Sequence, residues 1–161
     1  MNTAYLADMP AVYRIQKRQH LDSLLTGMGA QLYGGRWNPI GVPMVYTAST
    51  PELALLESLV HVEGTPLEDL PPLLLVELQI PDSILEIEEN ELPDGWQDKP
   101  VPPSVQSFLR PYLAHRTALA YSVPSVVMPW SRNILLDALH PLMQQVKTLR
   151  IEAFTYDPRL R

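Results

Sequence analysis

Seventeen prolines are spread along a chain of 161 residues, and they limit the fold more than any other feature. A proline fixes its own φ, carries no N–H and biases the preceding residue away from helix. The chain is thereby cut into short pieces. Excess proline marks disorder only where hydrophobicity is also poor. Here 46% of the residues are apolar, so the prolines punctuate a folded chain. The length suits one domain, residues 1–161, burying roughly two-thirds of its unfolded surface.

Several classes are excluded at once. With no cysteine there is no disulfide framework, thiolate zinc site or thiol nucleophile. His20, His61, His115 and His140 stand apart without metal-ligand spacing, so no metal site is expected. No apolar run approaches the roughly 18 residues that span a bilayer; the longest, Leu73 to Val76, is interrupted by Glu77. The amino terminus, Met1 to Tyr5, lacks a basic segment followed by an apolar one, so no secretory signal is visible. The chain reads as a cytoplasmic protein without a membrane partner. Twelve basic against eighteen acidic residues give a net charge of −6. Basic clusters are confined to Arg14/Lys17/Arg18 and the terminus Arg159-Leu160-Arg161. A protein that neutralises nucleic-acid phosphates shows a basic stripe, so direct nucleic-acid binding is not expected.

Patterning predicts several strands and a few short helices. Ala11 to Ile15 reads as a first strand, a glycine-rich loop follows to Pro39, and Pro43 to Ala48 is strand-like. Ser49 or Thr50 offers a helix N-cap, with Pro51 at the first helical position and Glu52 in the first turn, starting a helix to about Glu63. Pro72 to Ile80 is a strand, and Ser83 to Ile87 a short further one. From Glu86 to Pro103 a surface loop is expected, with Trp96 its only large anchor. Ser104 to Arg110 suggests a helix ended or kinked by Pro111. Thr117 to Tyr121 and Ser125 to Met128 read as two strand pieces separated by Pro124. Asn133 to Asp137 is a short apolar run, Pro141 to Val146 is helical in pattern, and Arg150 to Tyr156 is a last strand. The class is α+β, a single domain with a mixed, mostly antiparallel sheet.

Neither the dinucleotide glycine fingerprint nor a Walker loop is present. In Gly34-Gly35-Arg36-Trp37-Asn38-Pro39, glycines permit close backbone approach to a ligand, and the arginine offers a planar five-donor fork for a phosphate. The same residues also suit a tight turn with a surface arginine and a packed tryptophan. On a helical wheel Leu53, Leu56, Leu59 and Val60 define an apolar arc. Glu57 falls on its margin, beside Ala54, Ser58 and His61. Periodicity alone leaves open whether that carboxylate enters a cleft or begins the solvated face. Ser125 follows a strand end, where a hydroxyl donates to a ligand or satisfies local backbone; no histidine stands at a triad position, so it is not read as a nucleophile.

Taken in order, Gly-Gly-Arg36-Trp-Asn, then Tyr46-Thr-Ala-x-x-Pro-Glu-Leu-Ala-x-x-Glu57, then Val-Pro-Ser125-x-x-x-Pro, resemble the RES domain, named for an arginine, a glutamate and a serine. Tyr13-Arg14, Asn133-Ile-Leu-Leu and Phe154-x-x-Asp157-x-Arg159-Leu160 also fit, so the resemblance runs from about residue 11 to 161. One departure is Asp137-Ala138, where the family continues Asn-Pro. The resemblance implies a fold similar to ADP-ribosyltransferases. It also implies the toxin of a toxin–antitoxin pair: an enzyme that depletes NAD⁺ by cleaving the nicotinamide–ribose bond, as a glycohydrolase or phosphorylase. ADP-ribosyl transfer to a protein target, or a non-catalytic partner-binding module, is the alternative. NAD⁺ would be substrate, with no resident cofactor. Arg36, Glu57 and Ser125 are implied as catalytic: Arg36 on the pyrophosphate, Glu57 on a ribose hydroxyl or the developing positive charge, Ser125 positioning the ribose or amide. Tyr46 is implied to stack on nicotinamide, and Arg14, Trp37 and Asn133 are further binding candidates. The implied partner is an Xre-family helix-turn-helix antitoxin, which brings the DNA-binding function and forms a hetero-oligomer with the toxin.

Overall fold

The computed structural model describes residues 9–160. The segment Met1 to Tyr5, read above for a secretory signal, and Arg161 of the basic terminus lie outside the described residues. Seven strands, β1 (Ala11–Lys17), β2 (Met44–Ala48), β3 (Leu73–Gln79), β4 (Ile84–Glu86), β5 (Ala120–Pro124), β6 (Arg132–Asp137) and β7 (Lys147–Phe154), form one sheet in the order β4-β5-β6-β2-β1-β3-β7. β4 and β5 run parallel and the other neighbours antiparallel, so the sheet is mixed and mostly antiparallel. Four α-helices, α1 (Met28–Tyr33), α2 (Pro51–His61), α3 (Pro103–Gln106) and α4 (Arg110–Ala114), cover it. None is long and apolar enough to cross a membrane.

Period-2 alternation divides the core between the two faces of the sheet. One face joins Val12, Val45, Leu74, Val76, Leu78, Ile134 and Leu136. The other sets Met44, Tyr121, Val123 and Leu135 against Trp37, Trp96, Val105 of α3, Leu113 of α4 and Leu109 between the two helices. A smaller cluster, Ala48, Leu53 and Ala54 against Tyr13 and Ile15, seats α2 over β1 and β2.

β1 pairs with β3 along its whole length, yet it shares a single register pair with β2, Tyr13 with Ala48. Past that pair the sheet divides. Polar residues of β1 that would otherwise be sealed in the core, Arg14 and Gln16, reach the resulting cleft alongside Met44 and Tyr46 of β2.

Some expectations change. The predicted helix from Pro51 ends at His61, and its buried residues are Leu53 and Ala54, whereas Val60 is 42% exposed. The packed face is thus rotated from the Leu53/Leu56/Leu59/Val60 arc toward the sector that holds Glu57. The single helix expected over Ser104 to Arg110 is two, and Pro111 opens the second instead of ending the first, a position where its missing N–H costs nothing. Pro124 does not separate two strands: it is the last residue of β5, and Ser125 to Met128 form an irregular turn. The glycine-rich loop contains α1, and the segment from Pro141 is a 3₁₀ turn ending at Gln145. In the acidic loop Ile87 is buried along with Trp96, so Trp96 is not its only anchor.

Candidate active site

α2 starts where its cap chemistry directs. The Thr50 hydroxyl accepts from the Leu53 amide at 3.1 Å, and Pro51 occupies the first turn. Two turns on, Glu57 points into the cleft and meets two donors from separate elements. Ser125 Oγ donates to Glu57 Oε1 at 2.7 Å, and Asn133 Nδ2 donates to the same oxygen at 2.7 Å. Both bonds converge on Oε1, and Oε2 has no donor among the described residues.

Ser125 is fully buried, and its hydroxyl accepts from the amides of Val127 and Met128, each at 3.1 Å. A hydroxyl has one proton and two lone pairs, so its capacity is filled. Ser125 orients the carboxylate and ties down the turn after β5. Glu57 and Asn133 line the cleft, while Ser125 stands behind them.

Arg36 projects from the turn after α1. Its Nη1 donates to the carbonyls of Trp96 at 2.7 Å and Asp98 at 3.0 Å. That leaves Nε and Nη2 without a protein acceptor among the described residues, so the guanidinium both staples the 96–98 loop and presents donors to the cleft. Burial pushes its pKa down, and the nearby carboxylate of Glu57 pulls it back up. Arg14, on β1, donates through Nη1 to the carbonyl of Leu24 at 3.1 Å, and burial likewise pushes it down.

Two of the aromatic candidates, Tyr46 and Trp37, stand in the wall of the cleft. Tyr46 lines the cleft, but its hydroxyl is committed to the arginine turn: it accepts from the Trp37 amide at 3.0 Å and donates to Asn38 Oδ1 at 2.6 Å. Burial pushes this phenol well up, so it remains a donor. Trp37 is 2% exposed and packs on Trp96 and Phe108, with ring centroids 6.5 and 6.3 Å away. It anchors the turn and also lines the cleft.

Sequence reasoning passes over the residue that organises this turn. Asn38 is fully buried, and its amide donates to the carbonyls of Ala30, Pro39 and Val42 while its oxygen takes the Tyr46 proton. A Cβ on Gly35 would stand 2.5 Å from the Tyr46 hydroxyl and 2.8 Å from Asn38 Oδ1, so only glycine fits there. Gln106 of α3 also donates to the Gly35 carbonyl at 3.0 Å. An Asn two residues after an arginine, before a proline, is the signal that could have found the turn's centre. Asp137, where the sequence departs from the family pattern, is buried and accepts both of its bonds to Arg116 at 2.9 Å; it does not line the cleft.

The cleft encloses about 950 Å³, at the upper end of the roughly 300–1,000 Å³ usual for ligand sites. Arg14, Arg36 and Lys99 face it against the single carboxylate Glu57, with His20 and His61 at its edge. An acidic protein has thus gathered cations around one cavity, which favours an anionic ligand. Among the described residues no group of three His, Asp or Glu is placed to hold a metal ion.

The chain is similar to several known proteins. A family model described as RES domain matches residues 11–157. A protein named Toxin Res from Yersinia enterocolitica is 35% identical over 152 residues, covering 93% of this chain and 99% of that protein. A Prs ADP-ribosylating toxin from Sphingobium sp. is 39% identical over 143 residues, covering 84% of this chain and 86% of that protein. In three dimensions the chain resembles one in the crystal structure of the M. tuberculosis MbcT-MbcA toxin-antitoxin complex, with a TM-score of 0.69 at 20% identity, over 94% of this chain and 86% of that one.

Proposed function

The chain belongs to the RES domain family, and we propose that it is the toxin of a toxin–antitoxin system that depletes NAD⁺ by cleaving the nicotinamide–ribose bond. The observation that carries this reading is the Glu57 carboxylate, held through Oε1 by Ser125 and Asn133 with Oε2 free, beside Arg36 in a cation-lined cleft. Loss of nicotinamide builds positive charge on the ribose, an oxocarbenium-like state comparable with glycoside cleavage. A fixed, partly desolvated carboxylate stabilises that charge as it forms. Arg14 and the free edge of Arg36 hold the pyrophosphate through charge-assisted bonds. The C1′–N bond breaks with its electron pair going to nicotinamide. An acceptor oxygen then bonds to C1′; water releases a proton to solvent in doing so, and an ionised phosphate oxygen has none to release.

The acceptor is water or phosphate in this reading. The name of the Sphingobium relative favours a second one, transfer to a protein side chain. Incubating the purified, antitoxin-free chain with NAD⁺, with and without phosphate and with cell extract, separates them by mass spectrometry. Free ADP-ribose or its 1-phosphate supports depletion. Labelled protein without free product supports transfer. No nicotinamide under any condition overturns both.

The partner we propose is an Xre-type helix-turn-helix antitoxin. Met28, Leu32 and Tyr33 of α1 line the cleft while 51%, 58% and 81% exposed. An apolar lip of this kind suits a protein that covers the entrance. The acidic chain then leaves DNA contact to its partner.

A further inference from the structure

Gln16 stands two residues beyond Arg14 on β1, and period-2 alternation puts both side chains on one face of the strand. It is only 9% exposed, yet it lines the cleft. Its amide nitrogen donates to the His20 carbonyl at 3.1 Å, an oxygen that also accepts from Ser23 Oγ at 3.1 Å. A carbonyl can only accept, so this bond fixes which end of the amide is nitrogen, and the group cannot turn over. Oε1 has no donor among the described residues. None of their buried polar side-chain atoms lacks a partner, so this oxygen keeps an opening, and the space that Gln16 lines is the cleft. The side chain thus offers a ligand an acceptor and no donor.

Strand register says which part of a ligand this acceptor meets. Asn133, Ala48 and Tyr13 pair in one row across β6, β2 and β1, and Asn133 holds Glu57. Counted along β1 from that row, Arg14 is one residue on and Gln16 three, about 3 and 10 Å at the usual strand rise. Carboxylate, guanidinium and amide follow in that order. In NAD⁺ the order is nicotinamide ribose, pyrophosphate, adenosine ribose. Gln16 lies one pleat, about 7 Å, beyond Arg14. That matches the reach from a bridging phosphate to the farther hydroxyl of the adenosine ribose, the one on C2′.

We propose, resting on the NAD⁺ reading of the cleft, that Gln16 Oε1 accepts from the 2′-hydroxyl of the adenosine ribose and so selects NAD⁺ over NADP⁺. A 2′-phosphate, mostly dianionic at neutral pH, sets acceptors against an acceptor. A site that receives a hydroxyl proton rejects a ligand unable to supply it. Charge alone gives the reverse order, because Arg14, Arg36 and Lys99 attract the extra phosphate. The two effects therefore predict opposite preferences.

Calorimetric titration of the full, antitoxin-free chain with ADP-ribose and with its 2′-phosphate reads this contact without turnover. Wild type should bind ADP-ribose at least about tenfold more tightly than the 2′-phosphate. 2′-Deoxy-ADP-ribose should bind about threefold to tenfold more weakly than ADP-ribose, the scale of one neutral hydrogen bond. Gln16→Leu should weaken ADP-ribose by the same factor and be indifferent to the 2′-deoxy change. Gln16→Arg puts donors at the same place and should prefer the 2′-phosphate, a gain that a damaged fold does not give. Wild type binding the 2′-phosphate as tightly as ADP-ribose overturns the proposal. So does a 2′-deoxy loss that persists in Gln16→Leu, or no binding of ADP-ribose at all. Nicotinamide release from NAD⁺, measured alongside, tells failure of this contact from failure of the reaction.

Discussion

In the proposed reaction Glu57 depends on the residues that hold it. Ser125 and Asn133 donate to one oxygen, so the two act as one unit in aligning the carboxylate. Ser125→Ala and Asn133→Ala should each lower kcat for nicotinamide release, and the double variant should lose less than the product of the two, because groups in one network couple. Steady-state kinetics on the four proteins measures that coupling. Ser125→Ala also leaves the amides of Val127 and Met128 without their acceptor, at about 1–3 kcal/mol for groups that stay buried. Tyr46 gives a second residue-level outcome. Its folded pKa lies above the unfolded value, so its contribution is complete below about pH 10, where the unfolded phenol titrates, and declines above it. Tyr46→Phe should be less stable than wild type at pH 8, and denaturant midpoints should show the gap narrowing as pH rises past about 10.

Among the elements, the arginine turn is built for closeness. Gly35→Ala would drive a Cβ into the Tyr46 hydroxyl and Asn38 and shift the turn that carries Arg36. A displacement near 1 Å costs on the order of a hundredfold in rate, so kcat/KM for NAD⁺ should fall by about that factor while the protein remains folded. What the sequence makes legible at this scale follows local chemistry. The start of α2 can be read because Thr50-Pro51-Glu52 carries its own cap and first turn. β3 can be read because its apolar run is bounded by Pro72 and Pro81. The direction of Glu57 cannot, since Leu53 and Ala54 set which face packs, and that depends on Tyr13 and Ile15 of a distant strand. Asn38 is missed for the same reason: three of its four bonds go to backbone carbonyls brought together only by the turn.

For the whole molecule, a net charge of −6 conceals a cleft whose formal charges are mainly positive. Composition averages over the surface, whereas the divided sheet selects which charges meet. Arg14 reaches the cleft because β1 and β2 part after a single register pair. Arg14→Gln should raise KM for NAD⁺ roughly tenfold to a hundredfold, the scale of a charge-assisted hydrogen bond, with a smaller change in kcat, and added salt should blunt the difference. The RES resemblance supplies the trio Arg36, Glu57 and Ser125, and the fold divides their labour: one faces the cleft and braces a loop, one is free to act, and one stands behind it.

The most direct test of the account is nicotinamide release from NAD⁺ by wild type and by Glu57→Ala, each purified free of antitoxin and matched for thermal stability. Wild type should turn NAD⁺ over, and the variant should lose at least about a hundredfold, the scale of a preorganised electrostatic group. A Glu57→Ala protein as active as wild type, or a wild type that releases no nicotinamide, would contradict it.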